Sequence, residues 1–483
     1  RTTNETFVVP WESRPCRGLR DGISVLPNEE DDMGAETSKA NGGLAGLALH
    51  GGPKAVPGFT GRGRPKIGAD EFLALADLWG YSRKTQAALR RIVERERDLP
   101  SPHLTRYYNP RPSRVAALEA YARKLFGVKH ALAVNCGTAA LNCAYIACGI
   151  GPGDEVIVPA FTFLATATAV ITAKALPVIA EVDDSLTLDP DDAERKITPR
   201  TKAIAAVHMA GHCCDMARIL RLARKHKLLV IEDTAQACGG RYHGQLLGTI
   251  GDVGCFSISS FKITGGGEGG MVLTDDEWLY TRAQNQHDTG GCWRPDRYAK
   301  ERRPGELFVG ENYRMSELDG AVNLVQLRKT DAQARRYNAN YRRVLGKLDK
   351  GSAVGVRRSN DPRGDVGYNL VLFAKDPATA ARIIPALGAE GVGCHGRGTS
   401  QPRDWHIAAY WEQIIEHKSA SREGCPFTCP YRKEPLPAYS EDMCPRTREL
   451  LDRAISIGIS QWWNAADCAR VAQAINKVCR ALG

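Results

Sequence analysis

The 483-residue sequence contains no uninterrupted apolar run of the length that crosses a membrane. Its two uncharged stretches, 131–153 and 156–173, are broken by asparagines, glycines, threonines and Pro159, whereas a spanning helix needs ~20 predominantly apolar residues. We therefore expect both stretches to be buried parts of an α/β domain. The first residues are polar and contain no apolar core of a secretory signal, so we expect a cytoplasmic protein with no membrane partner.

The cysteines show neither the pairing of a disulfide framework nor the usual spacing of a zinc site. There are 15 of them, an odd number scattered along the chain, which favours reduced thiols in a cytoplasmic protein. Candidate zinc ligands are Cys425, Cys429, Cys444 and either His406 or His417, but no second close pair accompanies Cys425 and Cys429. We therefore expect ordinary thiols and no bound metal.

A strong excess of one charge is also lacking. The chain is 25% charged and 43% hydrophobic, with a formal net charge of +10, which permits an anionic substrate and does not require nucleic acid. The basic segment 61–65 (Gly-Arg-Gly-Arg-Pro) resembles an AT-hook, which enters narrow minor grooves of DNA. Because a single short copy is a weak signal, we expect a solvated loop and keep a DNA-associated regulator as an alternative.

Length and composition predict several structural parts, since a domain averages ~150 residues. The N-terminal part is rich in Gly, Asn, Glu and Pro without a sustained period, and Met33 is the expected initiator. An amphipathic pattern predicts one helix over 70–97. We expect a poorly ordered extension (1–60), a helical arm (61–114), a large domain (115–340) and a small domain (341–483).

From residue 115 onward, strands rich in Val, Ile and Ala alternate with helical segments. This alternation predicts a mainly parallel sheet covered on both faces, with ligands bound beyond the carboxyl ends of its strands. The predicted strands are 130–134, 156–158, 178–182, 202–208, 228–232, 253–257 and 271–274. A long helix over 317–343 is expected to lead into the small domain, where 367–373 is a strand and 378–389 and 468–482 are helices.

Three segments place polar or aromatic residues where predicted strands end. Gly137 and Thr138 lie between a strand and a helix; free N–H groups at a helix N-terminus bind phosphate, although the same residues are typical of ordinary turns. Phe163 follows the next strand and either stacks on a planar ligand or packs in the core. Asp233 closes an apolar strand, where its carboxylate either meets a protonated ring nitrogen or caps a helix.

A lysine in a glycine-rich setting follows another strand. Lys262 lies five residues after Ser257, and five glycines within 265–270 let the backbone approach a ligand closely. A lysine in a desolvated pocket loses its proton more readily and can form a Schiff base. A surface lysine beside a flexible loop is the alternative.

The order and spacing of these segments are more specific than any one of them. Gly-Thr at a helix start, an aromatic residue after the next strand, Asp233-x-x-Gln236, and Ser257-x4-Lys262 before Gly-Glu-Gly-Gly together resemble the DegT/StrS-type sugar or aminocyclitol aminotransferases. The resemblance covers 115–345 and extends more loosely beyond. It implies an α/β fold-type I transferase that uses pyridoxal 5′-phosphate (PLP), with a mainly parallel seven-stranded sheet in the large domain and a smaller α+β C-terminal domain.

The resemblance also implies roles for single residues. Lys262 would bind PLP as a Schiff base and act as general base, and Asp233 would keep the ring nitrogen protonated. Asn312 matches an asparagine that reaches the phosphate from the neighbouring subunit, which implies a homodimer. By the same resemblance, Phe163 would stack on the ring face and Gln236 would contact the ring hydroxyl. The phosphate would be bound by Gly137, Thr138 and Ser257.

The implied reaction moves an amino group from an amino acid, glutamine or glutamate by analogy, to a keto sugar or cyclitol ketone in two half-reactions. Related dehydratases carry histidine where this chain has Lys262, which favours transamination over a dehydratase or epimerase. Ala210 stands where relatives acting on nucleotide sugars often have an aromatic residue, which leaves cyclitol ketones open as acceptors.

Overall fold

The computed structural model describes residues 46–58, 65–97, 99–107, 112–349, 354–398 and 401–482. The chain divides into two compact units, Arg1–Pro100 and Ser101–Gly483. Most of the expected extension 1–60, including Met33, lies outside the described residues, and so do residues 61–64 of the AT-hook-like segment. The domain boundaries expected at 115 and 341 stay predictions.

The described part of the first unit contains two helices, α1 (Ala69–Asp77) and α2 (Arg83–Arg95). The prediction of one continuous helix here is wrong. Gly80 adopts a left-handed conformation with φ of 65°, which ends the first helical path. The Ser82 hydroxyl then accepts a hydrogen bond from the Thr85 N–H at 3.3 Å and starts the second helix.

The second unit is built on a seven-stranded sheet, which confirms the predicted α/β class. Its strand order is β1-β9-β8-β5-β4-β2-β3; β9 is antiparallel to both neighbours, and the pairs from β8 to β3 are parallel. Its strands are β1 (His130–Val134), β2 (Glu155–Pro159), β3 (Leu176–Ala180), β4 (Thr201–Val207), β5 (Leu229–Asp233), β8 (Val253–Ser257) and β9 (Gly270–Thr274). A separate short hairpin pairs β6 (Arg241–Tyr242) with β7 (Gln245–Leu246).

Helices cover both faces of this sheet. In β2, Val156 and Val158 pack on one face of the sheet against helical residues 139–147 and 167–170, whereas Ile157 packs on the opposite face against helical residues 216–223. The helices are α3 (Arg114–Phe126), α4 (Gly137–Ala147), α5 (Ala165–Thr172), α6 (Pro190–Arg195), α7 (Met216–His226), α8 (Glu277–His287) and α9 (Glu317–Leu327). Strand β3 begins two residues earlier than predicted, because an edge strand paired only with β2 accommodates Pro177.

The helix predicted over 317–343 is two helices, α9 and α10 (Thr330–Leu345). No glycine or proline marks the break in the sequence. The buried Thr330 hydroxyl lies 2.9 Å from the Thr264 hydroxyl at the start of the glycine-rich loop, so a tertiary contact accompanies the change of direction.

A four-stranded antiparallel sheet forms the C-terminal α+β part, in the order β10-β11-β13-β12. Its core is shared with α10 and with two helices of the C-terminal part, at residues 377–389 and 465–482. The elements are β10 (Gly355–Val356), β11 (Asn369–Phe373), α11 (Pro377–Ala389), β12 (Cys394–Gly396), α12 (Glu412–Ile415), α13 (Pro445–Asp452), β13 (Ala454–Gly458) and α14 (Ala465–Leu482).

The segment between β12 and α13 returns to the main sheet. The Thr162 N–H donates to the His406 carbonyl at 2.9 Å, and fully buried Trp411 packs in the core beneath α4 and α5. Cys425 and Cys429 lie in this segment as unpaired thiols, and the described residues include no group of three or more His, Cys, Asp or Glu that could hold a metal. No described helix is both long and apolar enough to cross a membrane.

Candidate active site

A cavity of about 340 Å³ lies where the carboxyl ends of β1, β2, β5 and β8 meet. These four strands run in the same direction, so the segments that follow them converge on one edge of the sheet. The cavity wall includes every predicted site residue except Asn312, namely Gly137, Thr138, Phe163, Asp233, Gln236, Ser257 and Lys262.

Lys262 lies in a tight turn after β8. Its N–H donates to the Ser259 carbonyl at 2.9 Å, and its carbonyl accepts from the Gly265 N–H at the same distance. The side chain is half-buried in the cavity wall. Burial lowers the pKa of the Lys262 amine, and the negative charge of Asp233 opposes this shift only in part. The cavity therefore favours a neutral, nucleophilic amine more than solvent does.

Asp233 ends β5 and is buried. One carboxylate oxygen accepts from the Thr166 hydroxyl at 2.8 Å, and the other accepts from the Ala235 N–H at 3.1 Å. The Thr166 hydroxyl in turn lies 2.7 Å from that of Thr162. These contacts hold the carboxylate in the cavity wall and stabilise its charge, since hydrogen bonds to an ionised acceptor are strong.

The preceding carboxylate, Glu232, points to the opposite side of the strand. It is fully buried and accepts hydrogen bonds from the backbone N–H groups of Gly248, Ile250 and Gly251 at 2.6–2.8 Å. Its other contact is with the ring of His208 at 2.9 Å. The alternation of side chains along β5 thus separates a structural carboxylate from the one in the cavity.

Gly137 and Thr138 begin α4, whose first N–H groups have no partners within the helix. Ser257, at the end of β8, lies directly beside them: a Cβ added at Gly137 would meet the Ser257 Cβ at 2.6 Å. Only glycine fits at this position. The cradle combines backbone donors, a hydroxyl and the positive end of the helix dipole, which suits an anion such as a phosphate.

Phe163 and Gln236 lie in other parts of the wall. Phe163 is 46% exposed, and its ring centroid lies 5.4 Å from that of His406. The Gln236 carbonyl oxygen accepts from the Ala210 N–H at 3.1 Å and from the Tyr368 hydroxyl at 3.0 Å. Asn312 is exposed outside the cavity, where its side-chain oxygen accepts from the Arg314 N–H at 3.4 Å.

Several residues of the site were not found from the sequence. Thr166, Glu268 and Phe261 line the cavity, and His406 reaches it from the C-terminal part of the chain. Its ring lies 2.6 Å from Asp404, and although burial alone would raise the pKa of that carboxyl, the hydrogen bond with His406 holds it well below its usual range. The sequence indicates His406 only as a possible zinc ligand, because it follows Lys262 by 144 positions and the other strand-end segments by more.

The sequence matches the DegT/DnrJ/EryC1/StrS aminotransferase family over residues 108–419. It is 33% identical to the UDP-N-acetyl-3-dehydro-alpha-D-glucosamine 3-aminotransferase of Acidithiobacillus ferrooxidans, over 75% of this chain and 87% of that protein. It is 41% identical to the L-glutamine:2-deoxy-scyllo-inosose aminotransferase of Streptomyces kanamyceticus, over 54% of this chain and 64% of the relative.

Among solved structures, the fold is similar to that of the aminotransferase from Psychrobacter cryohalolentis, with a TM-score of 0.63 and 27% identity. That similarity covers 83% of this chain and 98% of the other. Against several curated relatives, the chain spans only 54% to 64% of their length. The family match includes every cavity residue described above. This chain belongs to the DegT/DnrJ/EryC1/StrS aminotransferase family.

Proposed function

We propose that the chain is a PLP-dependent aminotransferase that moves an amino group from an amino acid to the ketone of a sugar or cyclitol. One observation carries the proposal: a half-buried lysine, Lys262, and a buried carboxylate, Asp233, line the same 340 Å³ cavity. An amine with a lowered pKa beside a fixed negative charge suits a carbonyl compound that has a protonatable ring.

The residues present fit PLP at both of its ends. The cradle of Gly137, Thr138 and Ser257 suits the phosphate, and the missing side chain at Gly137 leaves the backbone accessible. Asp233 would hold the ring nitrogen, Phe163 the ring face and Gln236 the ring hydroxyl. When bound, PLP supplies an electron sink for the carbon atoms next to the amino group.

Lys262 and Asp233 would divide the protein's part of the chemistry. The neutral Lys262 amine would anchor the aldehyde and, once displaced by the amino donor, would accept the α-proton at Nζ and return it to a neighbouring carbon. The Asp233 carboxylate, held by Thr166, would keep a proton on the ring nitrogen throughout. The buried position of Asp233 excludes water that would weaken this charge interaction.

The proposed substrates rest on the relatives, and the proposed location rests on the cysteines. The relatives include enzymes named for amino transfer to a keto sugar and, from L-glutamine, to a cyclitol ketone. We propose glutamine or glutamate as donor, and a cytoplasmic location, since reduced cysteines such as Cys425 and Cys429 are typical of that compartment. Neither a DNA-associated regulator nor a dehydratase is favoured by the family match.

A spectroscopic screen of amino donors and keto acceptors tests the proposed function. The PLP-loaded protein is mixed with glutamine, glutamate or other amino acids, and the visible absorbance of the lysine-bound cofactor is followed. Loss of this absorbance with a donor, and its return with a cyclitol ketone or keto sugar, is the expected result. A protein that binds PLP but shows no half-reaction with any amino acid contradicts the proposal.

Replacement of Gly137 by alanine is expected to weaken PLP binding by about 100-fold, because the new methyl group would displace Ser257 and occupy the anion cradle. Equilibrium binding of PLP to the purified apoprotein measures the effect. Gly151→Ala is the matched control, since nothing lies within 4 Å of a Cβ there. Unchanged PLP affinity in Gly137→Ala would show that the phosphate does not bind in this cradle.

We further propose a homodimer in which Asn312 completes the partner's site. Its exposure outside the cavity supports this, and so does an apolar stripe on α9 formed by Leu318, Val322 and Val325, all partly exposed. Their spacing places them on one face of α9, which begins five residues after Asn312 in the chain. Such a stripe is suited to burial against a second copy.

Mixing two inactive variants tests the shared site. Chains with Lys262→Ala and chains with Asn312→Ala are each expected to have little activity, whereas mixed dimers should regain a substantial fraction. In a mixed dimer, one site combines the native Lys262 of one chain with the native Asn312 of the other. Mixed dimers that form but regain no activity, or Asn312→Ala protein with native PLP affinity, would contradict the proposal.

A further inference from the structure

The carboxamide of Gln236 can face the cavity in only one orientation. Its oxygen accepts a hydrogen bond from the Ala210 backbone N–H at 3.1 Å, and a backbone N–H can only donate. The atom facing Ala210 is therefore the oxygen, whatever the assignment of the two amide atoms. The second lone pair of that oxygen accepts from the Tyr368 hydroxyl at 3.0 Å.

Because both lone pairs of the oxygen are occupied, the group that Gln236 offers to the cavity is its NH₂. Within the described part of the chain, no hydrogen bond from this NH₂ group is found. Gln236 is thus a donor toward any bound molecule. An amide whose oxygen accepts two hydrogen bonds is polarised, so its N–H groups are stronger donors than those of a free carboxamide.

The two donors to Gln236 are themselves held firmly. Ala210 has a left-handed backbone with φ of 54°, which is uncommon for a residue with a side chain, and Gly211 follows with φ of 79°. A Cβ at Gly211 would meet the Tyr368 ring at 2.8 Å, so the turn packs closely against that ring. The turn holds the ring in place, and the ring hydroxyl reaches Gln236.

A buried arginine, Arg357, hydrogen-bonds both to this turn and to the loop that contains Ser185. Arg357 donates to the Met209 carbonyl at 3.0 Å and to the Ser185 carbonyl at 2.5 Å, and it lies 3.2 Å from the His212 ring. Burial lowers the pKa of Arg357 to about 10, so it stays charged at neutral pH. Backbone strain at a turn persists where surrounding contacts determine it in this way.

Tyr368 also stays protonated. Burial raises its pKa to about 12, although the positive charges of Arg397 and Arg357 act in the opposite direction. At any pH where the protein functions, its hydroxyl is therefore present as O–H. Because the Gln236 oxygen can only accept, Tyr368 must donate to it.

We propose that Tyr368 is a positioning residue that, through Gln236, directs an N–H donor at the ring oxygen of the bound cofactor. The inference rests on the proposed function and goes beyond it, because Tyr368 itself lies outside the cavity wall. The donor stabilises the ionised form of that ring oxygen. Through this hydrogen bond, a residue just before β11 in the C-terminal part would influence the protonation of the cofactor's ring oxygen.

Binding of two compounds that differ only in the ring hydroxyl tests this role. The apoprotein is titrated with PLP and with 3-deoxypyridoxal 5′-phosphate, which keeps the aldehyde and the phosphate. Tyr368→Phe is expected to weaken PLP binding by about fivefold to tenfold and binding of the 3-deoxy compound by less than about twofold. The effect on PLP should disappear in a Gln236→Leu background, since coupled residues are not additive.

Tyr337→Phe is the matched control, because Tyr337 packs edge-on against Tyr368 with ring centroids 6.3 Å apart but does not bond Gln236. It should change neither affinity. Equal weakening of both compounds by Tyr368→Phe, or no weakening of PLP, overturns the inference while leaving the proposed function intact. Wild-type protein that binds neither compound overturns both.

Discussion

Replacing Lys262 with alanine is expected to lower transamination by about four orders of magnitude or more, because one side chain supplies both the covalent anchor and the general base. No second lysine lines the cavity among the described residues, so no neighbouring amine takes over. The measurement is single-turnover conversion of the PLP-loaded protein with an amino donor. Cofactor affinity should fall as well, since the covalent link is lost.

Two controls separate chemistry from folding in this experiment. Lys262→Arg keeps a positive charge but removes the nucleophilic amine, and it should be as inactive as the alanine variant. Lys202→Ala removes an exposed lysine outside the cavity and should leave turnover unchanged. Borohydride treatment of the wild-type protein should trap a reduced adduct on Lys262. An adduct on another lysine, or none, would contradict the assignment.

Replacing Asp233 with asparagine is expected to lower turnover by about 1,000-fold while leaving the protein folded. Asparagine keeps the shape but carries no charge. Its one side-chain oxygen still accepts from the Ala235 N–H, and its NH₂ group donates to the Thr166 hydroxyl, which can accept instead of donating. Without that charge, nothing favours a proton on the ring nitrogen, and a charge-assisted bond at a buried site becomes a neutral one. Turnover and the absorbance spectrum of the bound cofactor measure the loss.

Thr166→Val gives a graded comparison, because it leaves the Asp233 charge in place and removes only one of its hydrogen bonds. We expect a loss of about tenfold, or about 1.4 kcal/mol, because a hydrogen bond to a charged group contributes on the order of 1.5–3 kcal/mol and Asp233 keeps its other bond. Asp184→Asn, at an exposed carboxylate outside the cavity, should have no effect. Native turnover in Asp233→Asn would show that a different group holds the ring nitrogen.

The main elements of the fold could be predicted because each has a strong local signal. The strands of the large sheet are apolar runs bounded by turn residues, and their positions are confirmed within a few residues, with β3 shifted by two. The two helix errors have different causes. The break between α1 and α2 carries a local signal in Gly80 and Ser82, whereas the break between α9 and α10 depends on a contact of Thr330 with a distant loop.

The candidate site also contains residues with a local sequence signal and residues placed only by tertiary contacts. Gly137, Phe163, Asp233 and Lys262 could be found because each follows a strand, and parallel strands bring their carboxyl ends to one edge. His406 could not, because its position depends on a long segment that returns to pair with the residues after β2. Tyr368 likewise meets Gln236 only through the packing of the C-terminal sheet.

By itself, the sequence determined the α/β class, the strand-end residues of the cavity and the family, since these depend on short-range periodicity and on spacing along the chain. The tertiary structure alone decided which groups orient those residues. Thr166 orients Asp233, and Ala210 and Tyr368 together orient Gln236. The last two, Ala210 and Tyr368, are 158 positions apart in the chain. Hydrogen bonds between such distant residues depend on how whole elements pack, and no local pattern encodes that packing.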